Sequence, residues 1–200
     1  MSETTPAPRS LRLQRQIARL NYLYFLAMML VIAAILSAAM FMQYARGELP
    51  CPLCLLERAA LFGICFGLMQ NFRNGFSYQN AGFSLLFALL LLVVATRQTL
   101  LDIYPRPGHA YIGSAVFGLH MPVWSAVIAV CVIAAYAIKL MSIGGDRHLR
   151  DYKAKSFPVI DAAANVTGLY LIALCAINFA WVIVQCGFGE CHTFGYRLLP

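Results

Sequence analysis

The run from Leu20 to Ala45 carries no charged side chain. A stretch of that length excludes most folds open to a water-soluble chain. The bilayer core requires about 20 apolar residues per crossing helix, and this run exceeds a signal-peptide core of roughly 7–15. It therefore reads as a retained first span behind a polar start, Met1 to Ser10. Further apolar runs follow at about 54–72, 81–101, 121–141 and 159–185. They lack the alternation of barrel strands, and in lipid only helices or closed barrels satisfy their backbone groups. The expected fold is an all-α membrane protein forming a single integral membrane domain over residues 1–200.

Composition agrees. The chain is 61% hydrophobic and 12% charged, against about a quarter charged in soluble domains. The net charge of +7 could suggest nucleic acid, but the Lys and Arg residues sit in segments flanking the spans, so no nucleic-acid partner is expected. If the spans alternate, Arg9, Arg12, Arg15, Arg19, Arg73, Lys139, Arg147, Arg150, Lys153 and Lys155 share one side, and Arg46, Arg58, Arg97, Arg106 and Arg197 the other. The bias places the N-terminus (1–19) in the cytoplasm and the tail (186–200) outside. Segment Arg9 to Leu20 has two readings: a positive anchoring flank, or a helix lying in the headgroup plane. No internal repeat or low-complexity tract is evident.

This topology sorts the seven cysteines. Cys51 and Cys54 precede the second span on the outer side, and Cys186 and Cys191 follow the fifth, also outside. Disulfides persist in that compartment. Cys65, Cys131 and Cys175 lie within spans and read as packing residues. Cys51-Pro52-Leu53-Cys54 opens a helix, with Pro52 suited to the first turn. The positive end of the helix dipole stabilises a thiolate there. Arg58 is four residues beyond Cys54, one turn on and on the same face, where a guanidinium favours thiolate and any anionic acceptor. Glu57 is expected to point elsewhere, towards the headgroups. Two cysteines merely ending a loop would share the spacing, but the helix start, the outer location and Arg58 favour a redox dithiol.

The segment Cys51-Pro-Leu-Cys54-Leu-Leu-Glu57-Arg58-Ala-Ala-Leu-Phe-Gly63 resembles the signature of the DsbB family, membrane oxidases that pass electrons from periplasmic dithiols to quinone. Tyr104-Pro105-Arg106-Pro107 is similar to the start of that family's second outer loop. Gly118-Leu119-His120-Met121-Pro122-Val123-Trp124 resembles the start of its fourth helix. The resemblance spans about residues 20–140. It implies a four-helix transmembrane bundle, to which this chain adds a fifth C-terminal helix. It also implies that Cys51 and Cys54 cycle between dithiol and disulfide, that Cys54 faces the quinone (ubiquinone or menaquinone), and that Arg58 holds the quinone oxygen. The partner it implies is a periplasmic DsbA-like oxidase, and the location the bacterial inner membrane.

The chain departs from the family in one respect. The best-known members carry a second cysteine pair between spans three and four, whereas Tyr104 to Gly118 contains none. The tail, Cys186-Gly-Phe-Gly-Glu-Cys191, offers a substitute pair. It reads as a relay to Cys51–Cys54, as a staple for the C-terminus, or as an auxiliary to direct attack on Cys51–Cys54 by substrate. Two rival functions use the same residues. Cys51, Cys54, Cys186 and Cys191, with His192 nearby, could ligate zinc, although Arg58 would repel a cation. A structural subunit with stapling disulfides is the other. Among further candidates, His120 is a proton shuttle or an interfacial hydrogen-bonding residue, and Arg97 approaches the quinone or snorkels. Asn165, Thr167 and Asn178 are expected to bond across helices.

Overall fold

The computed structural model describes residues 8–47, 49–104, 117–142 and 152–187. Cys191, His192, Arg106, Arg147 and Arg150 lie outside the described residues, as does most of the Tyr104–Gly118 loop.

Five long helices cover the five apolar runs: α1 (Pro8–Ala45), α2 (Pro52–Asn74), α3 (Tyr78–Ile103), α4 (Met121–Ser142) and α5 (Pro158–Cys186). Each is long and apolar enough to cross a membrane, and no strand occurs among the described residues. The protein is an all-α membrane bundle. Its outward faces are apolar, as lipid demands: Leu30, Val31, Leu86, Val93, Val166 and Leu169 are among the exposed large side chains.

The basic N-terminal segment is not a separate helix set at an angle to the first span, and its arginines keep the reading of a positive flank. It continues α1 without a break, giving 38 residues, or about 57 Å at 1.5 Å per residue. That exceeds a hydrocarbon core of about 30 Å, so the end bearing Arg12, Arg15 and Arg19 extends beyond it.

The turns are set locally. Gly75 ends α2 at φ 82°, a conformation that costs glycine little. Two residues on, Ser77 caps α3: its Oγ accepts from the Gln79 amide at 3.2 Å, while its own amide donates to Asn71 Oδ1 at 3.0 Å. α2 and α3 therefore form a tight hairpin. Their approach relies on Gly63 and Gly67, where an added Cβ would fall on the Phe87 ring and on Ser84 Oγ respectively. Ser84 uses that closeness to donate to the Ile64 carbonyl at 3.0 Å.

α3 packs between α2 and α4, and α5 packs against α1 and α2. At the basic end α1 and α4 meet, with Phe25 and Tyr136 rings 6.2 Å apart and Lys139 Nζ 5.4 Å from the Phe25 ring. Tyr22, buried beside Phe72 and Phe157, donates to the Tyr152 carbonyl at 2.9 Å. Towards the opposite end α1 and α4 part and leave a cleft between them. Cys51 and Cys54, at the start of α2, sit at that end.

Candidate redox site

The second helix starts on its own cysteine. Cys51 has extended backbone (φ −70°, ψ 161°), and its Sγ accepts from the Cys54 amide at 3.0 Å. It therefore fills the role a serine or aspartate plays in capping a helix. Pro52 occupies the first turn, where a missing N–H is harmless. Cys51 and Cys54 form a disulfide, with Cα atoms 5.0 Å apart. Cys51 is buried, and Cys54 is partly open.

Gln98 of α3 touches both sulfurs. Its Nε2 lies 3.3 Å from Cys51 Sγ and 3.4 Å from Cys54 Sγ, and the side chain is buried. Sequence reasoning singled out its neighbour Arg97, which instead lies on the exposed side of α3 with Leu92 and Tyr104 and does not line the cleft. On a helix, adjacent residues point about 100° apart, so only one of the pair faces the dithiol.

The cleft has a volume of about 410 Å³. Leu36, Ala39 and Met42 of α1, Leu61 of α2, and Trp124 and Ile128 of α4 form its apolar wall. Cys54, Glu57 and Arg58 reach it from one turn and a half of α2. Phe117, at the start of the segment leading into α4, also lines it, with its backbone in the left-handed region at φ 52°. His120 does not line the cleft; its carbonyl accepts from the Val123 amide at the start of α4.

Arg58 is only 9% exposed and is gripped by neutral acceptors from two other helices. Nη1 donates to Gln43 Oε1 at 2.6 Å and Asn178 Oδ1 at 3.1 Å. Nη2 donates to the Ala39 carbonyl at 3.1 Å. Cys54 and Arg58 thus share one face of α2 and open onto one cleft.

The expectation for Glu57 is overturned. It does not point to the headgroups but is buried against α4, where Ser125 Oγ donates to its Oε2 at 2.7 Å. Its other oxygen, Oε1, has no hydrogen-bond partner. The cleft lies between α1 and α4, so consecutive residues of α2 serve its two sides: Arg58 turns to α1 and Glu57 to α4.

At the end of α5, Gln185 Nε2 donates to the Pro50 carbonyl at 2.8 Å. That bond brings the neighbourhood of Cys186 against the loop carrying Cys51. Cys186 is itself disulfide-bonded. The sulfurs of Cys51, Cys54 and Cys186 are thus held in disulfides, while Cys191 and His192, the other residues of the zinc reading, lie outside the described residues. Cys65, Cys131 and Cys175 are free thiols, the first buried and the other two exposed on the bundle surface.

Of the three α5 residues expected to bond across helices, Asn178 does so, to Arg58. The other two do not. Asn165 bonds to Asp161 at 3.5 Å and Thr167 to the Ala163 carbonyl at 2.8 Å. Both partners lie one turn back on the same helix, where a short side chain reaches without help from a neighbour.

Comparison with known proteins bears on the same region. The family model described as disulfide bond formation protein DsbB matches residues 21–111. Disulfide bond formation protein B of Cupriavidus metallidurans is 34% identical over 84 residues, 42% of this chain and 52% of the relative. The protein of that name from Nitrosomonas europaea is 36% identical over 86 residues, 41% and 52%. That from Aromatoleum aromaticum is 36% identical over 86 residues, 40% and 51%. The chain spans about half the length of the curated relatives it matches. No solved structure matches it. The family match stops at residue 111, short of the 140 expected from the sequence, so the Gly118–Trp124 motif, α4 and α5 fall beyond it. Residues 21–111, which contain the Cys51–Cys54 disulfide, Arg58 and Gln98, are thus the part of this chain that is similar to the DsbB family.

Proposed function

We propose that this chain is a thiol:quinone oxidoreductase of the bacterial inner membrane that reoxidises a periplasmic DsbA-like dithiol carrier for disulfide bond formation. The observation that carries this reading is a single apolar cleft shared by Cys54 of a helix-capping disulfide and the guanidinium of Arg58. Its dithiol end faces the periplasm and its N-terminus the cytoplasm, in keeping with the Lys and Arg bias.

A cleft of about 410 Å³ with an apolar wall and a few converging polar groups is the usual form of a small-molecule site. The unpartnered Glu57 Oε1 and the Arg58 donors supply a polar edge suited to a quinone head, of ubiquinone or menaquinone type. When bound, the quinone would accept two electrons and two protons and leave as quinol, returning Cys51 and Cys54 to the disulfide.

The chain's own residues divide the rest of the work. The carrier dithiol reduces Cys186–Cys191 by thiol–disulfide exchange, and a thiolate of that reduced pair attacks one sulfur of Cys51–Cys54, forming a mixed disulfide and releasing the other sulfur as thiolate. The second thiolate of the tail pair then attacks the mixed disulfide, so Cys186–Cys191 returns to the disulfide, the carrier has departed oxidised, and Cys51 and Cys54 are left reduced. Gln98 holds both sulfurs throughout. Arg58 stabilises negative charge at the cleft, and Glu57, held by Ser125, carries a proton at Oε1 beside it. The wall from Leu36 to Ile128 keeps water out.

Cys186 and Cys191 act as a relay between carrier and Cys51–Cys54 in this scheme. The Gln185–Pro50 bond supports it by bringing the end of α5 to the Cys51 loop. The test is quinone reduction driven by a reduced DsbA-like protein in proteoliposomes. Wild type turns over, Cys51→Ser and Cys54→Ser do not, and the double variant Cys186→Ser with Cys191→Ser loses most turnover. Normal turnover in the double variant would remove the relay, and turnover in Cys54→Ser would remove the whole reading.

A further inference from the structure

The fifth helix buries one stripe against α1 and α2, on which Ala164, Leu171 and Leu174 are apolar. Further along the same stripe stand two amides, Asn178 and Gln185, two turns apart. They are 7% and 1% exposed. Burying an amide costs free energy unless it finds partners, and Leu at either position would extend the apolar seam. Both amides spend their hydrogen bonds on the dithiol site. Asn178 Oδ1 accepts from Arg58 at 3.1 Å, and Gln185 Nε2 donates to the carbonyl of Pro50, the residue before Cys51, at 2.8 Å.

No residue of α5 lines the cleft, so Asn178 reaches the guanidinium from behind. With Gln43 and the Ala39 carbonyl on α1, it fixes the orientation of the Arg58 guanidinium. Arg58 is otherwise a long side chain with considerable rotamer freedom. We propose that α5 is a positioning element of the redox site, in which Asn178 sets the guanidinium of Arg58 and Gln185 sets the peptide that carries Cys51. The inference rests on the proposed quinone function and assigns its two half-reactions to different residues of α5.

The experiment separates the half-reactions in full-length protein. Asn178→Leu removes the amide and extends the apolar seam. A hydrogen bond to a charged group is worth enough that its loss corresponds to a rise of about tenfold in apparent KM for a soluble quinone analogue. The single-turnover rate of Cys51–Cys54 with dithiothreitol, without quinone, changes less than twofold. Gln185→Leu gives the reverse: exchange with dithiothreitol slows several-fold while the quinone KM holds. Asn178→Ser, which keeps an oxygen acceptor, recovers part of the lost affinity. Parallel loss in both half-reactions in either variant, or an unchanged KM in Asn178→Leu, overturns the proposal.

A readout without activity keeps the two ideas apart. In ¹⁵N-arginine NMR, the Arg58 side-chain signals, assigned through Arg58→Lys, are resolved in wild type by restricted rotation and average in Asn178→Leu. If wild type reduces no quinone, the functional reading falls while this spectrum still tests the positioning. Identical Arg58 signals in the two proteins overturn the positioning of Arg58 by Asn178.

Discussion

Replacing Gln98 with leucine removes the side-chain amide that, among the described residues, lies within hydrogen-bond reach of both sulfurs, at 3.3 and 3.4 Å from Nε2. In the disulfide state these are contacts to a weak neutral acceptor. After reduction the same N–H faces a thiolate, and a hydrogen bond to a charged group contributes ~1.5–3 kcal/mol. The loss therefore falls mainly on the reduced form. For a two-electron couple about 30 mV corresponds to 1.4 kcal/mol, so Gln98→Leu shifts the Cys51–Cys54 potential by roughly 30–60 mV, in the negative direction. A reduced form made less stable is a weaker oxidant, as the sign requires. The assay is equilibration in thiol redox buffers above neutrality, followed by acid quench and alkylation gel shift. The shift shrinks towards low pH, where both sulfurs hold protons and the amide again faces neutral acceptors. A potential unchanged within 10 mV of wild type (about a third of the smallest shift expected), or a shift to positive values, refutes the reasoning.

Three further substitutions test the cleft and the α2–α3 hairpin. Arg58→Ala raises the apparent KM for quinone at least tenfold, on the same estimate for a charged hydrogen bond, as steady-state kinetics will show. Glu57→Gln preserves the Ser125 contact but carries no transferable proton; positioned proton transfer contributes about 10²–10⁴-fold, so kcat falls by at least tenfold while KM stays within twofold, and an undiminished kcat excludes the proton role. Gly67→Ala pushes a methyl group into Ser84 Oγ and the Asn80 carbonyl across the α2–α3 hairpin. Overpacking of this kind costs about 1–3 kcal/mol, which denaturation in mixed micelles reads as an earlier midpoint.

Much of the molecule follows from short-range pattern. Uncharged runs fix the helices because each backbone group in lipid must be bonded within its own segment, and that condition involves no other part of the chain. The capping of α2 by Cys51, the place of Pro52 and the one-turn offset of Arg58 from Cys54 are likewise local. Even the length of α1 is continuous helix, but the arginines of its first turns gave two readings because a positive flank and an interfacial helix have the same composition.

The set of spans and the dithiol at the head of one of them therefore follow from the order of residues along the chain. Tertiary structure alone decided what surrounds that dithiol. Gln98 is separated from Cys54 by 44 positions and Asn178 from Arg58 by 120. An amide on an apolar helix looks the same in sequence whether it faces lipid, its own backbone or another helix, as Asn165 and Asn178 demonstrate. The direction of Glu57 depended on α1 and α4 separating at one end of the bundle, which leaves a cleft where close packing would have left none. Helix formation is settled within a few residues. The meeting of side chains from α1, α2, α3, α4 and α5 at one end is settled only when the apolar faces of whole helices pack together.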